Sequence, residues 1–175
     1  VATRLSVRRA VDAGTSDEPF WLDGENLELV ALTLDDRPLD TRDFERLDTG
    51  IAVRAPRAPF SLQIVNRIHP AANTELMGLY VSNGSFFTQC EAEGFRRITY
   101  FPDRPDMMTR YRVTLRADKS RYPVLLSNGN LVEERSLDDG RHEAVWDDPH
   151  AKPSYLFALV AGRFVAKEDH WPRAG

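Results

Sequence analysis

Apolar and polar residues alternate along much of this chain with a period of two rather than 3.6. Tyr111, Val113 and Leu115 alternate with Arg112, Thr114 and Arg116, so one face meets a core and the other meets solvent. Phe60, Leu62 and Ile64 alternate with Ser61 and Gln63 in the same way. Residues 27–34 are densely apolar and end at Asp35, Asp36, Arg37 and Pro38, a turn composition. Residues 155–160 are apolar at both parities, which predicts a strand buried on both faces.

Turn signals separate these runs. Asn83-Gly84 follows Leu79, Tyr80 and Val81, and Asp139-Gly140 lies between Leu137 and Ala144. Asn128-Gly129 lies between Leu126 and Leu131. Each dipeptide tolerates the positive φ that two-residue hairpin loops demand, so each predicts a hairpin. The best helical candidate, residues 91–97, is a turn or two and contains Gly94. His69, Pro70, Ala71, Ala72 and Asn73 read as a loop between strands and mark a gentle boundary. No repeat of fixed period is present. The expected fold is all-β, an antiparallel sandwich or saddle-like domain with an irregular excursion over residues 89–109.

Length fits this picture. A chain of 175 residues suits one domain and can bury roughly 70% of its extended surface without disulfides or metals. No apolar run approaches the ~20 residues needed to span a bilayer, so no membrane partner is expected. One cysteine, Cys90, precludes an internal disulfide and suits a reducing compartment. The net charge is −4, and the arginines lie among acids rather than in one basic stripe. That pattern argues against nucleic-acid binding, which depends on phosphate neutralisation. The arginine excess reads as codon bias and surface ion pairs.

Chemistry-bearing patterns are few. The four histidines, His69, His142, His150 and His170, show no helical pairing, and no H-E-x-x-H, nucleophile elbow or phosphate loop occurs. No metal ligand is therefore assigned. Asn83-Gly84-Ser85 matches a glycosylation sequon but reads first as a hairpin turn. One segment is richer: Gln89, Cys90, Glu91, Ala92, Glu93, Gly94, Phe95, Arg96. If extended, it would place Gln89, Glu91 and Glu93 on one face. A carboxylate beside an amide oxygen can receive an ammonium group. The same residues also suit a solvated acidic loop with Cys90 buried as a small apolar residue. Asp103, Arg104, Pro105 and Asp106 read as a loop-stabilising ion pair.

This segment, with Ile98-Thr99-Tyr100 and Asp103-Arg104-Pro105-Asp106, resembles the N-terminal domain of the bacterial aminopeptidase N family, zinc metallo-aminopeptidases of the gluzincin class. Further segments agree in order. Pro70-Ala71-Ala72-Asn73-Thr74 leads to Gly78-Leu79-Tyr80, and Tyr122-Pro123 leads to Ser127-Asn128-Gly129-Asn130. Residues 155–162 close the series, while residues 1–67 match least.

The resemblance implies a saddle-shaped β-domain followed, in the family, by a zinc-binding catalytic domain. The whole chain, residues 1–175, is then one N-terminal domain, without the family's opening strands and catalytic domain. The resemblance also implies that Gln89 and Glu91 bind substrate, with Glu91 helping to hold the free α-amino group of a peptide. Glu93, Arg96 and Arg104 would support the loop's shape, and Cys90 would pack rather than react. The partners implied are the catalytic domain of the same polypeptide and a peptide N-terminus. The parent would carry zinc, this fragment would bind no cofactor and be inactive alone, and the location would be the bacterial cytoplasm. A domain cut from a larger enzyme should also expose an interface, expected around Phe95, Tyr100, Phe101, Met107 and Met108. Composition and periodicity alone suit a second reading, a free-standing, non-catalytic β-sandwich that binds carbohydrate or protein.

Overall fold

The computed structural model describes residues 1–8, 19–54 and 59–170. Fourteen strands carry the fold, with three short 3-10 turns and no α-helix among the described residues. The first seven are β1 (Ala2–Val7), β2 (Phe20–Asp23), β3 (Glu28–Leu34), β4 (Arg37–Pro38), β5 (Phe44–Leu47), β6 (Gly50–Val53) and β7 (Phe60–Arg67). The rest are β8 (Gly78–Ser82), β9 (Ser85–Gln89), β10 (Thr109–Asp118), β11 (Val124–Ser127), β12 (Asn130–Ser136), β13 (Arg141–Lys152) and β14 (Leu159–Gly162). The 3-10 turn Pro70–Ala72 separates the two groups, at the boundary that the residues suggested.

Each group packs two antiparallel sheets face to face. In the first, β1-β7-β3-β4 lies over β2-β6-β5. Leu32, Leu34, Leu62 and Ile64 from one sheet meet Leu22, Ile51 and Val53 from the other in a fully buried core. Along β7 the alternation is kept: Phe60, Leu62 and Ile64 are buried while Ser61 and Gln63 are half-buried. β3 breaks the alternation at a bulge, where Leu29 pairs with Asn66 and Ala31 with Val65, leaving Val30 facing solvent. In the second group, β10-β13-β12 lies near β11-β14-β9-β8, joined by Leu125, Ala144 and Ala161.

A third core joins the groups, and it comes largely from the irregular excursion. Phe95 is its hub, with ring centroids 5.0 Å from Phe101, 4.9 Å from Phe157 and 6.0 Å from Tyr111. Three of the five residues expected on an exposed patch, Phe95, Tyr100 and Phe101, are therefore buried. Only Met108 is strongly exposed, so the five do not form one surface. An edge-to-face aromatic cluster gains more from burial than from any partner outside.

Two other expectations change. Residues 155–160 are not one strand: a 3-10 turn, Ser154–Leu156, precedes β14, which begins at Leu159. Phe157 enters the aromatic core and Ala161 the smaller one, so the apolar run serves two cores in succession. Asn128-Gly129 does not close a hairpin either. β11 pairs with β14 and β12 with β13, so this turn carries the chain between sheets. Gly129, at φ 89°, lies against the Asp147 backbone where a side chain has no room. Asn83-Gly84 and Asp139-Gly140 do join paired strands, β8 to β9 and β12 to β13.

Candidate functional site

Gln89 is the last residue of β9, paired with Gly78 of β8. The chain then leaves the ladder, so extended alternation does not continue through Glu91 and Glu93. Residues 91–94 form a turn, closed by the Gly94 N–H donating to the Cys90 carbonyl at 2.8 Å. The Glu91–Ala92 peptide bond is cis. The carbonyl of Glu91 accepts from the Gln89 side-chain amide at 3.1 Å.

Two glycines allow this turn. A Cβ on Gly94 would strike the Gln89 carbonyl oxygen and sit 3.0 Å from the Gly78 nitrogen. Gly78, at φ 72°, would meet the Gly94 carbonyl at 3.0 Å and Arg97 Cβ at 2.8 Å. The turn thus lies directly on the start of β8. Cys90 and Phe95 point inward from either end of it, each nearly inaccessible. Burial, then the nearby Asp103 carboxylate, pushes the Cys90 thiol up to about 12, so it is a packed, protonated group at neutral pH.

The exposed side of the turn carries Glu91, Ala92 and Glu93. Glu93 pairs with Arg96 at 3.3 Å, a solvent-facing contact of small energetic weight. Glu91 forms no ion pair among the described residues. One Gln89 amide hydrogen is engaged at the Glu91 carbonyl, and the amide oxygen has no protein donor among the described residues. An open amide oxygen at the end of β9 and an open carboxylate at the start of the turn therefore flank Cys90. Such a pair can receive a cationic hydrogen-bond donor.

Arg96 anchors this mount from below. Its backbone N–H and Nε both donate to Asp103 Oδ2 at 3.1 Å, and Nη2 donates to the Asp103 carbonyl at 3.0 Å. Ser154 donates its hydroxyl to Asp103 Oδ1, so this buried carboxylate is fully engaged. Asp23 of β2 joins the same knot. Its Oδ2 accepts from the Asp103 N–H at 3.0 Å, its Oδ1 accepts from Trp21 Nε1 at 3.0 Å, and Arg96 lies 3.8 Å away. Arg97 binds Glu25 at 3.0 Å and also pairs with Glu75. Arg104 stands apart, paired with Asp106 on the surface. Asp23, Glu25 and Ser154 were not singled out in the sequence, since no local spacing links them to residues 89–109.

A groove of about 460 Å³ opens elsewhere, between β1 and β10, over Phe95, Ile98 and Phe101. Gln89 and Glu91 do not line it. Among the described residues no three His, Cys, Asp or Glu side chains gather in a way that could hold a metal ion, and no helix is long and apolar enough to cross a membrane.

The profile of the peptidase M1 N-terminal domain matches residues 6–156. The chain is 54% identical over 166 residues to the aminopeptidase N of Caulobacter vibrioides, covering 93% of this chain and 18% of that protein. It is 47% identical over 171 residues to the aminopeptidase N of Escherichia coli, covering 97% and 19%. The chain thus spans less than a fifth of the length of these relatives. The aminopeptidase A of Legionella pneumophila, solved with aspartic acid, superposes with a TM-score of 0.87 at 40% identity, over 92% of this chain and 19% of that one. An M1 zinc metallopeptidase of Deinococcus radiodurans, solved with a Tyr-Ser-Ala substrate, superposes with a TM-score of 0.75 at 16% identity, over 92% and 37%, and shares the fold.

Proposed function

Because the chain belongs to the peptidase M1 N-terminal domain family, we propose that it is the N-terminal β-domain of a zinc aminopeptidase that releases N-terminal residues from peptides. Its role is recognition. Glu91 and Gln89 receive the α-ammonium group of a peptide, while Glu93 and Arg96, with Arg104 at the loop's far end, hold the shape of the excursion. The catalytic domain of the same polypeptide is its partner, and zinc belongs to that domain. Among the described residues no three His, Cys, Asp or Glu side chains gather to hold a metal, and no chemical step is assigned to this chain. A cytoplasmic location belongs to the same reading, consistent with a lone buried thiol.

One observation carries the recognition role. Glu91 is exposed and without an ion pair among the described residues, yet the turn beneath it is pinned by Gly94, Phe95 and the Arg96–Asp103 pair. A carboxylate carried on a fixed backbone loses less freedom on binding a cation than one carried on a mobile loop. An aminopeptidase must distinguish a charged terminus from an internal amide, and an unpaired acid does so by charge.

In the full-length enzyme Glu91→Ala is expected to lower kcat/KM about tenfold or more, from loss of a charged hydrogen bond worth about 1.5–3 kcal/mol. Steady-state kinetics on an amino-acid anilide would measure it. A value equal to wild type removes Glu91 from the site.

A further inference from the structure

The chain carries two Asn-Gly dipeptides, and the fold treats them oppositely. Asn83-Gly84 is the two-residue loop of the β8–β9 hairpin, closed by the Ser82–Ser85 pair. Both residues are exposed, at φ 46° and 74°. Nothing lies within 4 Å of the place a Gly84 side chain would occupy. In such a loop the flanking residues make the closing hydrogen bonds, which leaves the Gly84 N–H to solvent. The Asn83 side chain makes no hydrogen bond among the described residues.

Asn128-Gly129 is locked. The Asn128 amide donates to the Leu156 carbonyl at 3.2 Å, and its oxygen accepts from the Ala158 N–H at 2.6 Å. Gly129 is pressed against the Asp147 backbone. The third glycine turn, Asp139-Gly140, presents a carboxylate bound to the Arg141 N–H and side chain. An ionised carboxylate is a poor electrophile.

We propose that Asn83 is a site of spontaneous deamidation and that the fold protects Asn128. The deprotonated Gly84 nitrogen attacks Asn83 Cγ, forming a C–N bond and a five-membered succinimide. The side-chain nitrogen leaves as ammonia, taking up the one proton lost from the Gly84 amide. Water then opens the ring at either carbonyl, giving aspartate or isoaspartate, with no oxidant or reductant involved. Aspartate suits the loop, because Asp visits the left-handed region nearly as readily as Asn. Isoaspartate does not, since it adds a carbon to the backbone of a loop whose length sets the register from Ser82–Ser85 to Gly78–Gln89. Gln89 sits at the far end of that ladder, so the isoaspartate form loosens the strand that leads to the 91–94 turn.

The test is to incubate the folded protein carrying this chain at mildly alkaline pH. Both dipeptides are then followed by peptide mapping, with fragmentation that separates aspartate from isoaspartate. A sample in concentrated urea runs in parallel. In urea the two asparagines should convert at similar rates. In the folded sample Asn128 should lag Asn83 by about tenfold or more, because its hydrogen bonds must open first. Equal rates in the folded protein, faster conversion of Asn128, or an Asn83 that converts only in urea would each overturn the proposal.

Discussion

Residues 89–109 and strand β12 invert the usual relation between regularity and burial. The excursion has no strand between Gln89 and Thr109. Yet Cys90, Phe95, Ile98, Tyr100 and Phe101 are all buried. β12 is a seven-residue strand paired with β13 through a ladder that shifts register once, between Leu131 and Glu133, and every one of its residues is exposed. Leu131 and Val132 stand half in water at 46% and 51% exposure. Side chains and a bridge take up backbone groups of the excursion, while the β13 ladder takes up those along one side of β12, an edge strand. What separates them is where apolar surface goes, and that term dominates stability. The irregular segment is therefore the structural centre, and the regular one is periphery.

The strongest way to break this contrast is Asp103→Ala. It takes the Arg96 guanidinium, which is 13% exposed, off its main partner and releases the Ser154 hydroxyl. Losing one partner of a buried pair should cost about 3–5 kcal/mol in urea unfolding. A cost below 1 kcal/mol would make the excursion peripheral after all. Next comes Gly94→Ala, which puts a methyl group onto the Gln89 carbonyl and should cost about 1–3 kcal/mol through strain. It has a second readout. Cys90, with its thiol pushed up to about 12, should resist thiol reagents in the native protein and become reactive in the variant.

Acid should act on the β12 side. Glu143 of β13 is buried beneath Arg116 and Arg135, and the Arg116 hydrogen bond leads the causes that hold its carboxyl below the ordinary 4.5. A depressed folded value means that the contribution is complete above pH 4.5 and fades as pH falls toward that lowered value. The stability gap between the protein and Glu143→Gln should therefore narrow as pH drops below 4.5; a gap indifferent to pH would remove the carboxylate from the account. The smallest effect belongs to β12 itself. Leu131→Ser should change stability by no more than about 0.5 kcal/mol, because the side chain is already half in water.

The legible parts of the fold are those where one face of a strand is buried. β7 and β10 declare themselves by alternation, because a two-residue period maps directly onto inside and outside. Residues 155–160 mislead because an apolar run does not say how many cores it feeds, and here Phe157 and Ala161 feed different ones. Asn128-Gly129 misleads for a related reason: turn chemistry reports the local φ, not which strands will pair afterwards. At the candidate site, Gln89, Glu91 and Cys90 stand together in the sequence and so could be singled out. Asp23 could not, since its tie to Asp103 crosses eighty residues of chain and leaves no local trace.

The knot around Asp23 has a consequence in isotope exchange. Asp23 and Phe101 trade backbone hydrogen bonds at 2.9 and 3.1 Å, and the amides of Arg96 and Asp103 each end on a carboxylate within the knot. In deuterated water those four protons should be among the last to leave, while the exposed edge ladder of β12 empties early. A protection map of this chain would set three of its slow clocks, Arg96, Phe101 and Asp103, in a stretch that has no strand, and the fourth where β2 ends against it.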